Sequence, residues 1–496
     1  MMLDKLRVYN SLSGKKEDFV ALSPPYVGMY VCGPTVYSDV HLGNVRTFMS
    51  FDVIYRYLQY VGYKVRYVRN ITDVGHLEND DDEGEDKISK KARLMNLEPM
   101  EIVQHYSNDF HQVLDQFNLI PPNIEPSAIG HIVEQVEMIK TLLDKGFAYE
   151  VNGSVYFDVT KYDQDHNYGK LSKRNIDELI QGGRALDSQD EKRNSVDFAL
   201  WKKATPEHIM RWPSPWSDGF PGWHLECSVM GTKYLGETFD IHGGGMDLKF
   251  PHHECEIAQS VATYGQDPVR YWLHTNMLTV NGQKMSKSVG NSFLPRELFA
   301  GSHELLDEPY SPMTVKFFML QSHYSSTLDF SNDALKAARK GYKKLINGLR
   351  LIKDMEYVAD EGQLNEKIAE QIEKQIQLCH SAMNDDFNTA LAIGQLFNLL
   401  KKINSLYTNS MKFGEIGEEL FKKVKQTYVD FVEDILGLKE EDPTELKAVI
   451  ESMMEVYRNA KFRKDFDKVD EIRAVLKENG VIVKDMKTKI DWAYEE

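Results

Sequence analysis

A short apolar run, Val27-Gly28-Met29-Tyr30-Val31-Cys32, meets a glycine-containing turn at Gly33-Pro34-Thr35-Val36-Tyr37, and this junction restricts the fold more than any other stretch of the chain. The run reads as a buried parallel strand. Beyond His41-Leu42-Gly43-Asn44, residues Val45, Phe48, Met49, Val53 and Leu58 recur at helical spacing as far as Val61. Lys64 to Val68 is a second strand candidate. Strand, loop, helix, strand is a βαβ unit, which calls for a parallel sheet covered by helices. His41 and Asn44 fall near the start of that helix, where free N–H groups and the helix dipole favour a phosphate. An imidazole and an amide there add directed donors, although a capping or surface histidine explains His41 alone equally well.

A second constraint lies far downstream. Lys284-Met285-Ser286-Lys287-Ser288 packs two lysines and two hydroxyls into one pentapeptide, just after Asn281-Gly282. The run from Tyr271 to Val280 before it is largely apolar or aromatic. The order reads as a buried element followed by a polar loop. Paired ammonium groups suit phosphate charge that grows on a leaving pyrophosphate. Taken alone, the lysine spacing reads first as a solvated basic turn, and it is the upstream motif that overturns this reading.

Together the two stretches resemble the class I aminoacyl-tRNA synthetases, whose signatures are His-Ile-Gly-His and Lys-Met-Ser-Lys-Ser. The second is matched letter for letter at 284–288, and the first as His41-Leu42-Gly43-Asn44. Asn44 keeps a hydrogen-bond donor but carries no charge. The resemblance implies that His41, Asn44, Lys284 and Lys287 assist adenylate formation. It also implies that Thr35, His41, Gly43, Asn44, Gly244, Lys284 and Lys287 hold ATP, with Mg²⁺ on the phosphates.

Pro251-His252-His253-Glu254-Cys255-Glu256 looks like a helix start. His252 and Glu256 are four residues apart and project from one face, a workable pair of zinc ligands. Acids complementing the helix dipole, with a packed histidine, explain the spacing equally well. Each of the four cysteines, Cys32, Cys227, Cys255 and Cys379, reads by default as a small buried hydrophobe. Spacing does not bring Cys32 and Cys227 together. A closer resemblance does: Cys32-Gly33-Pro34-Thr35-Val36-Tyr37, Asn70-Ile71-Thr72-Asp73, Gly222-Trp223-His224-Leu225-Glu226-Cys227 and the stretch from His242 to Gln259 are similar to the cysteinyl-tRNA synthetase family. It implies one Zn²⁺ held by Cys32, Cys227, His252 and Glu256, and a cysteine pocket lined by Thr72, Trp223 and Asp247. Zinc suits such a substrate, because it favours thiolate and rejects the near-isosteric serine hydroxyl that a hydrophobic pocket separates poorly.

The expected fold class is α/β: a Rossmann-type parallel-sheet catalytic domain with a connective insertion, then an α-helical bundle and a small C-terminal domain. The catalytic domain is placed at 18–125 and 213–265, the connective insertion at 126–212 and a linking segment bearing the lysine loop at 266–310. The insertion is too short for a large editing domain, so no editing activity is expected. Helical patterns from 311 to 440 include Ala334–Ile352 and Leu364–Met383, and Asn384-Asp385-Asp386-Phe387-Asn388-Thr389-Ala390 is a helix-cap signal. Residues 445–496 resemble the family's anticodon-reading module. The implied partners are tRNA(Cys), cysteine and ATP.

The net charge of −17 looks wrong for an RNA binder, but local fields decide binding. Two basic stretches, Ser331 to Arg350 and Tyr457 to Lys468, are either solvated helix faces or RNA contacts. The acidic run Glu78 to Asp86 reads as a solvated loop. No apolar stretch reaches membrane-spanning length, and few cysteines suggest a reducing cytoplasm. A monomer is expected.

Overall fold

The computed structural model describes residues 5–75, 77, 86–182, 191–206, 208–285, 290–441, 444–486 and 490–495. Its centre is a four-stranded parallel sheet in the spatial order Val269–Thr275, Phe239–Gly245, Tyr26–Val31, Lys64–Arg69. The first strand and its crossover helix, Leu42–Tyr60, lie where the apolar run and the helical spacing place them. The two halves of the sheet are separated in sequence by more than 150 residues, and Tyr30 pairs with His242 across that gap.

Alternation along the first strand sorts its side chains between two cores. Val27, Met29 and Val31 join a core that runs through the crossover helix into the C-terminal helices. Tyr30 and Cys32 face a second core, built with the connective insertion and the helices Trp223–Leu235 and His252–Tyr264. Three strands of the insertion, Ala148–Val151, Ser154–Phe157 and Phe198–Lys203, form an antiparallel sheet that Gly219–Pro221, beyond the expected boundary at 212, completes.

Beyond the parallel sheet, the apolar run before the lysine loop divides into Val269–Thr275 and a short strand, Leu278–Val280. The short strand pairs antiparallel with Gln283–Lys284 and parallel with Leu328–Phe330. Helices Asn332–Asp354, Glu366–Asn384, Thr389–Tyr407 and Glu418–Val429 then build a bundle. The cap signal acts as expected: the Asn388 side chain accepts from the Leu391 N–H and starts the helix at Thr389. Two further helices, Thr444–Phe462 and Phe466–Glu478, pack beside a terminal hairpin of Val481–Asp485 and Ile490–Tyr494.

Candidate active site

A cleft of about 600 Å³ opens at the carboxyl ends of the parallel strands, where open α/β sheets bind ligands. It is lined by Thr35, His41, Gly43, Asn44 and Lys284, and on its deeper side by Cys32, Thr72, Trp223, Cys227, Asp247 and His252. Two segments far apart in the sequence signatures therefore share one wall. An added Cβ on Gly43 would lie 3.1 Å from the His41 ring and 3.4 Å from Met285 Cε, so the glycine lets the lysine strand approach the helix start. Lys287, Ser286 and Ser288 lie outside the described residues, as does most of the acidic run after Leu77.

His41 is the N-cap of the crossover helix. Its Nδ1 accepts from the Asn44 backbone N–H at 3.3 Å, and the Asn44 side chain accepts from the His41 N–H at 3.4 Å. The sequence motif thus forms a capping box as well as lining the cleft, and the two readings of His41 are not exclusive. The neighbouring loop is held by its second strand. Gly33 N–H donates to Asn70 Oδ1 at 2.8 Å, and Thr35 and Thr72 pair as an isolated parallel bridge. Gly244 is packed against Leu248 and His253, while Gly245 faces the cleft.

At the deep end, three elements deliver four donor side chains to one buried region. Cys32 comes from the end of the first strand, Cys227 from the helix after the insertion, and His252 and Glu256 from one face of the following helix. Cys32 Sγ lies 3.8 Å from Cys227 Sγ and 3.8 Å from Glu256 Oε1, and His252 Nε2 lies 3.1 Å from the same carboxylate oxygen. All four side chains are buried. Burial pushes the Cys32 thiol up to about 12 and the Cys227 thiol well above its ordinary value. Burial alone would lower His252, but Cys227 and Glu256 beside it raise it to about 10. Burial would raise Glu256, but His242 and His252 overcome this and hold it near 2. The Trp223 ring stacks on His252 with centroids 4.3 Å apart.

Sequence reasoning missed three residues here. His253 Nε2 is 3.3 Å from Cys32 Sγ, and Cys32, His252, His253 and Glu256 have donor atoms mutually within 4.8 Å. Its other nitrogen meets His274 at 2.9 Å, which in turn meets Ser11 Oγ at 2.8 Å. His242 Nε2 binds Glu256 Oε2 at 2.8 Å and so orients that carboxylate. Glu226, beside Cys227, accepts from Thr72 Oγ1 at 2.5 Å, and burial raises it to about 8. Paired histidines in one short run were a visible signal for His253. For His242 and Glu226 only the fold supplies the partner.

The class I (C) tRNA-synthetase catalytic domain matches residues 18–340, and the DALR domain matches residues 380–440. A Cysteine–tRNA ligase of Cytophaga hutchinsonii is 56% identical over the full length of both chains. One from Bacteroides thetaiotaomicron is 54% identical over 99% of each chain. Among solved structures, the methionyl-tRNA synthetase of Mycobacterium tuberculosis has the same fold, with a TM-score of 0.60 at 12% identity over 83% of this chain and 92% of that one. Full-length identity above one half, together with a class I catalytic domain spanning most of the chain, places this protein in the cysteine–tRNA ligase family of class I aminoacyl-tRNA synthetases.

Proposed function

We propose that the protein joins cysteine to tRNA(Cys) in two steps at this cleft. The carboxylate of cysteine attacks the α-phosphate of ATP, giving cysteinyl-adenylate and pyrophosphate. A hydroxyl of the terminal ribose of tRNA then takes the cysteinyl group. The first step needs no nucleophile from the protein, since the substrate brings it; it needs positioning and charge neutralisation. The observation that carries the reading is the shared cleft: His41, Asn44 and Lys284 at one end, the buried sulfur–nitrogen–carboxylate cluster at the other. Thr35, Gly43 and Gly244 would accompany the signature residues around ATP and its Mg²⁺. Thr72, Trp223 and Asp247 would surround cysteine.

The donor set fits zinc. Two thiols, an imidazole and a carboxylate lie together in a buried cluster, the sulfur, nitrogen and oxygen donors that Zn²⁺ takes. Cys32, Cys227, His252 and Glu256 would hold it, with His242 orienting Glu256 through its second oxygen. When bound, the ion would lower the pKa of the substrate thiol and favour cysteine over serine. The bundle at 311–440 and the module at 445–496 provide the surface for tRNA. We further propose that the chain acts as a monomer in the cytoplasm; its four cysteines are buried and in no disulfide, and no described helix is long and apolar enough to cross a membrane.

The test is cysteine-dependent ATP–pyrophosphate exchange followed by charging of tRNA(Cys). Both activities are expected, with Lys287→Ala slowing adenylate formation more than it weakens cysteine binding. Exchange without charging would point instead to a ligase that passes cysteine to a small amine.

A further inference from the structure

The signature helix carries a buried cation that the reaction scheme does not use. Arg46 is 3% exposed, yet its guanidinium meets backbone carbonyls rather than a carboxylate. Nη1 donates to Asn276 O at 3.0 Å and Met277 O at 2.7 Å; Nη2 donates to His323 O at 3.3 Å and to Ser326 O. A rigid five-donor fork is the side chain suited to gather four carbonyls from two chain segments.

Those two segments are the root of the lysine strand. Asn276 and Met277 immediately precede Leu278–Val280, which pairs with Gln283–Lys284. His323 to Ser326 end one residue before Leu328–Phe330, the parallel partner of the same short strand. The segments are tied to each other as well, because Asn276 N–H donates to Tyr324 O at 2.9 Å and its side chain to Ser325 O at 3.0 Å. At the far end, Asp329 accepts from Thr279 Oγ1 at 2.7 Å and from Gly282 N–H at 2.8 Å. The hairpin that presents Lys284 is therefore latched at its turn by Asp329 and at its base by Arg46. Its base is anchored to the helix that presents His41 and Asn44.

Resting on the ligase reading above, we infer that Arg46 is a positioning residue for adenylate formation. It fixes the distance between the two halves of the phosphate site by clamping the root of the Lys284 hairpin to the signature helix. The reacting groups gain from this because small misplacements at a charge-neutralising site are expensive in rate.

Arg46→Met and Arg46→Lys in the full chain test the role. Arg46→Met is expected to lower kcat for ATP–pyrophosphate exchange by about 100-fold while the KM for cysteine changes less than about twofold. Trypsin cleavage between Lys284 and Met285 should become faster than in the unaltered chain. Arg46→Lys, which keeps the charge but not the fork, should recover part of the rate. Unchanged exchange kinetics would overturn the inference, as would equal losses in kcat and in cysteine affinity. Asp329→Ala opens the turn latch without emptying the buried site. If Arg46→Met does not fold, an unaltered exchange rate in Asp329→Ala overturns the inference, and a reduced kcat at constant cysteine KM supports it. Failure of the unaltered chain to catalyse any cysteine-dependent exchange would sink the ligase reading instead.

Discussion

Cys32 and Cys227 lie 195 residues apart in the chain and 3.8 Å apart in space. At the residue scale this is the central fact of the site, because burial pushes both thiols up and the His252 imidazolium beside Cys227 opposes the rise without overcoming it. A divalent ion would compensate for the burial of both as thiolates. Cys227→Ser is therefore expected to lose zinc, measured by elemental analysis of purified protein. Cys255→Ser should retain it, since the Cys255 thiol packs 3.5 Å from the Tyr168 hydroxyl in the insertion core. His253→Ala decides between two geometries. It stands closer to Cys32 than Cys227 does, but its second nitrogen is tied to His274 and burial keeps it neutral, well below its ordinary pKa. Retention of zinc in His253→Ala is the expected result, and its loss would move His253 into the ligand set.

Elements bring these atoms together through tight backbone approaches. A Cβ on Gly33 would sit 1.6 Å from the Asn70 carbonyl oxygen, and one on Gly243 would sit 2.0 Å from the Phe51 ring. Gly33→Ala must push the phosphate-side loop away from the Asn70–Asp73 segment. A destabilisation of about 3 kcal/mol or more is expected, read as a fall in the thermal or urea midpoint. A variant melting like the parent would show that the two segments part without penalty. This is also the scale at which the sequence was most legible. The strand at Tyr26–Val31, the helix at Leu42–Tyr60, the strand at Lys64–Arg69 and the Asn388 cap all lie close to where pattern and cap chemistry put them. Each depends on neighbours only a few residues away. The division of Tyr271–Val280 into two strands was not legible, since a continuous apolar run carries no mark of where its partner strands change.

For the whole molecule, the junction between catalytic fold and bundle buries a lysine. Lys316 is fully buried between Asp52, at 3.4 Å, and the Phe117 carbonyl, at 3.0 Å. Burial lowers it to about 8, with Asp52 opposing the fall. Lysine in the unfolded chain titrates near about 10.4. Below pH 8 both states are protonated and the folded chain bears the full penalty. Between the two values the unfolded chain binds more protons, so this group's contribution to stability rises with pH. The stability of the parent relative to Lys316→Met should therefore increase by on the order of 2 kcal/mol from pH 7.5 to pH 10, measured by urea unfolding. A difference that stays flat across that range would mean that Lys316 titrates normally. The basic helix at Asn332–Asp354 also changes meaning at this scale. Arg350 is buried against Asp491 and over the Trp492 ring, while Lys336 and Arg339 pair with Asp307 and Glu308. Part of the charge that looked available for RNA instead fastens the bundle to its neighbours.

The sequence by itself determined the βαβ core, the helical C-terminal half and, through the two signatures and the cysteine-linked motifs, the family. Those features are local in the chain: periodicity, caps and short motifs act over a few residues. Only the tertiary structure decided that Cys32 meets Cys227, that His253 stands beside them, that His242 orients Glu256, and that Arg46 clamps the hairpin of Lys284. These contacts join residues about 200 positions apart, depend on backbone carbonyls or, for His242 and Glu256, bridge a strand and a helix 14 residues apart, and no local side-chain pattern records them. They arise because a parallel sheet points alternate side chains at different cores, and because a buried charge is stable only where the fold gathers its partners.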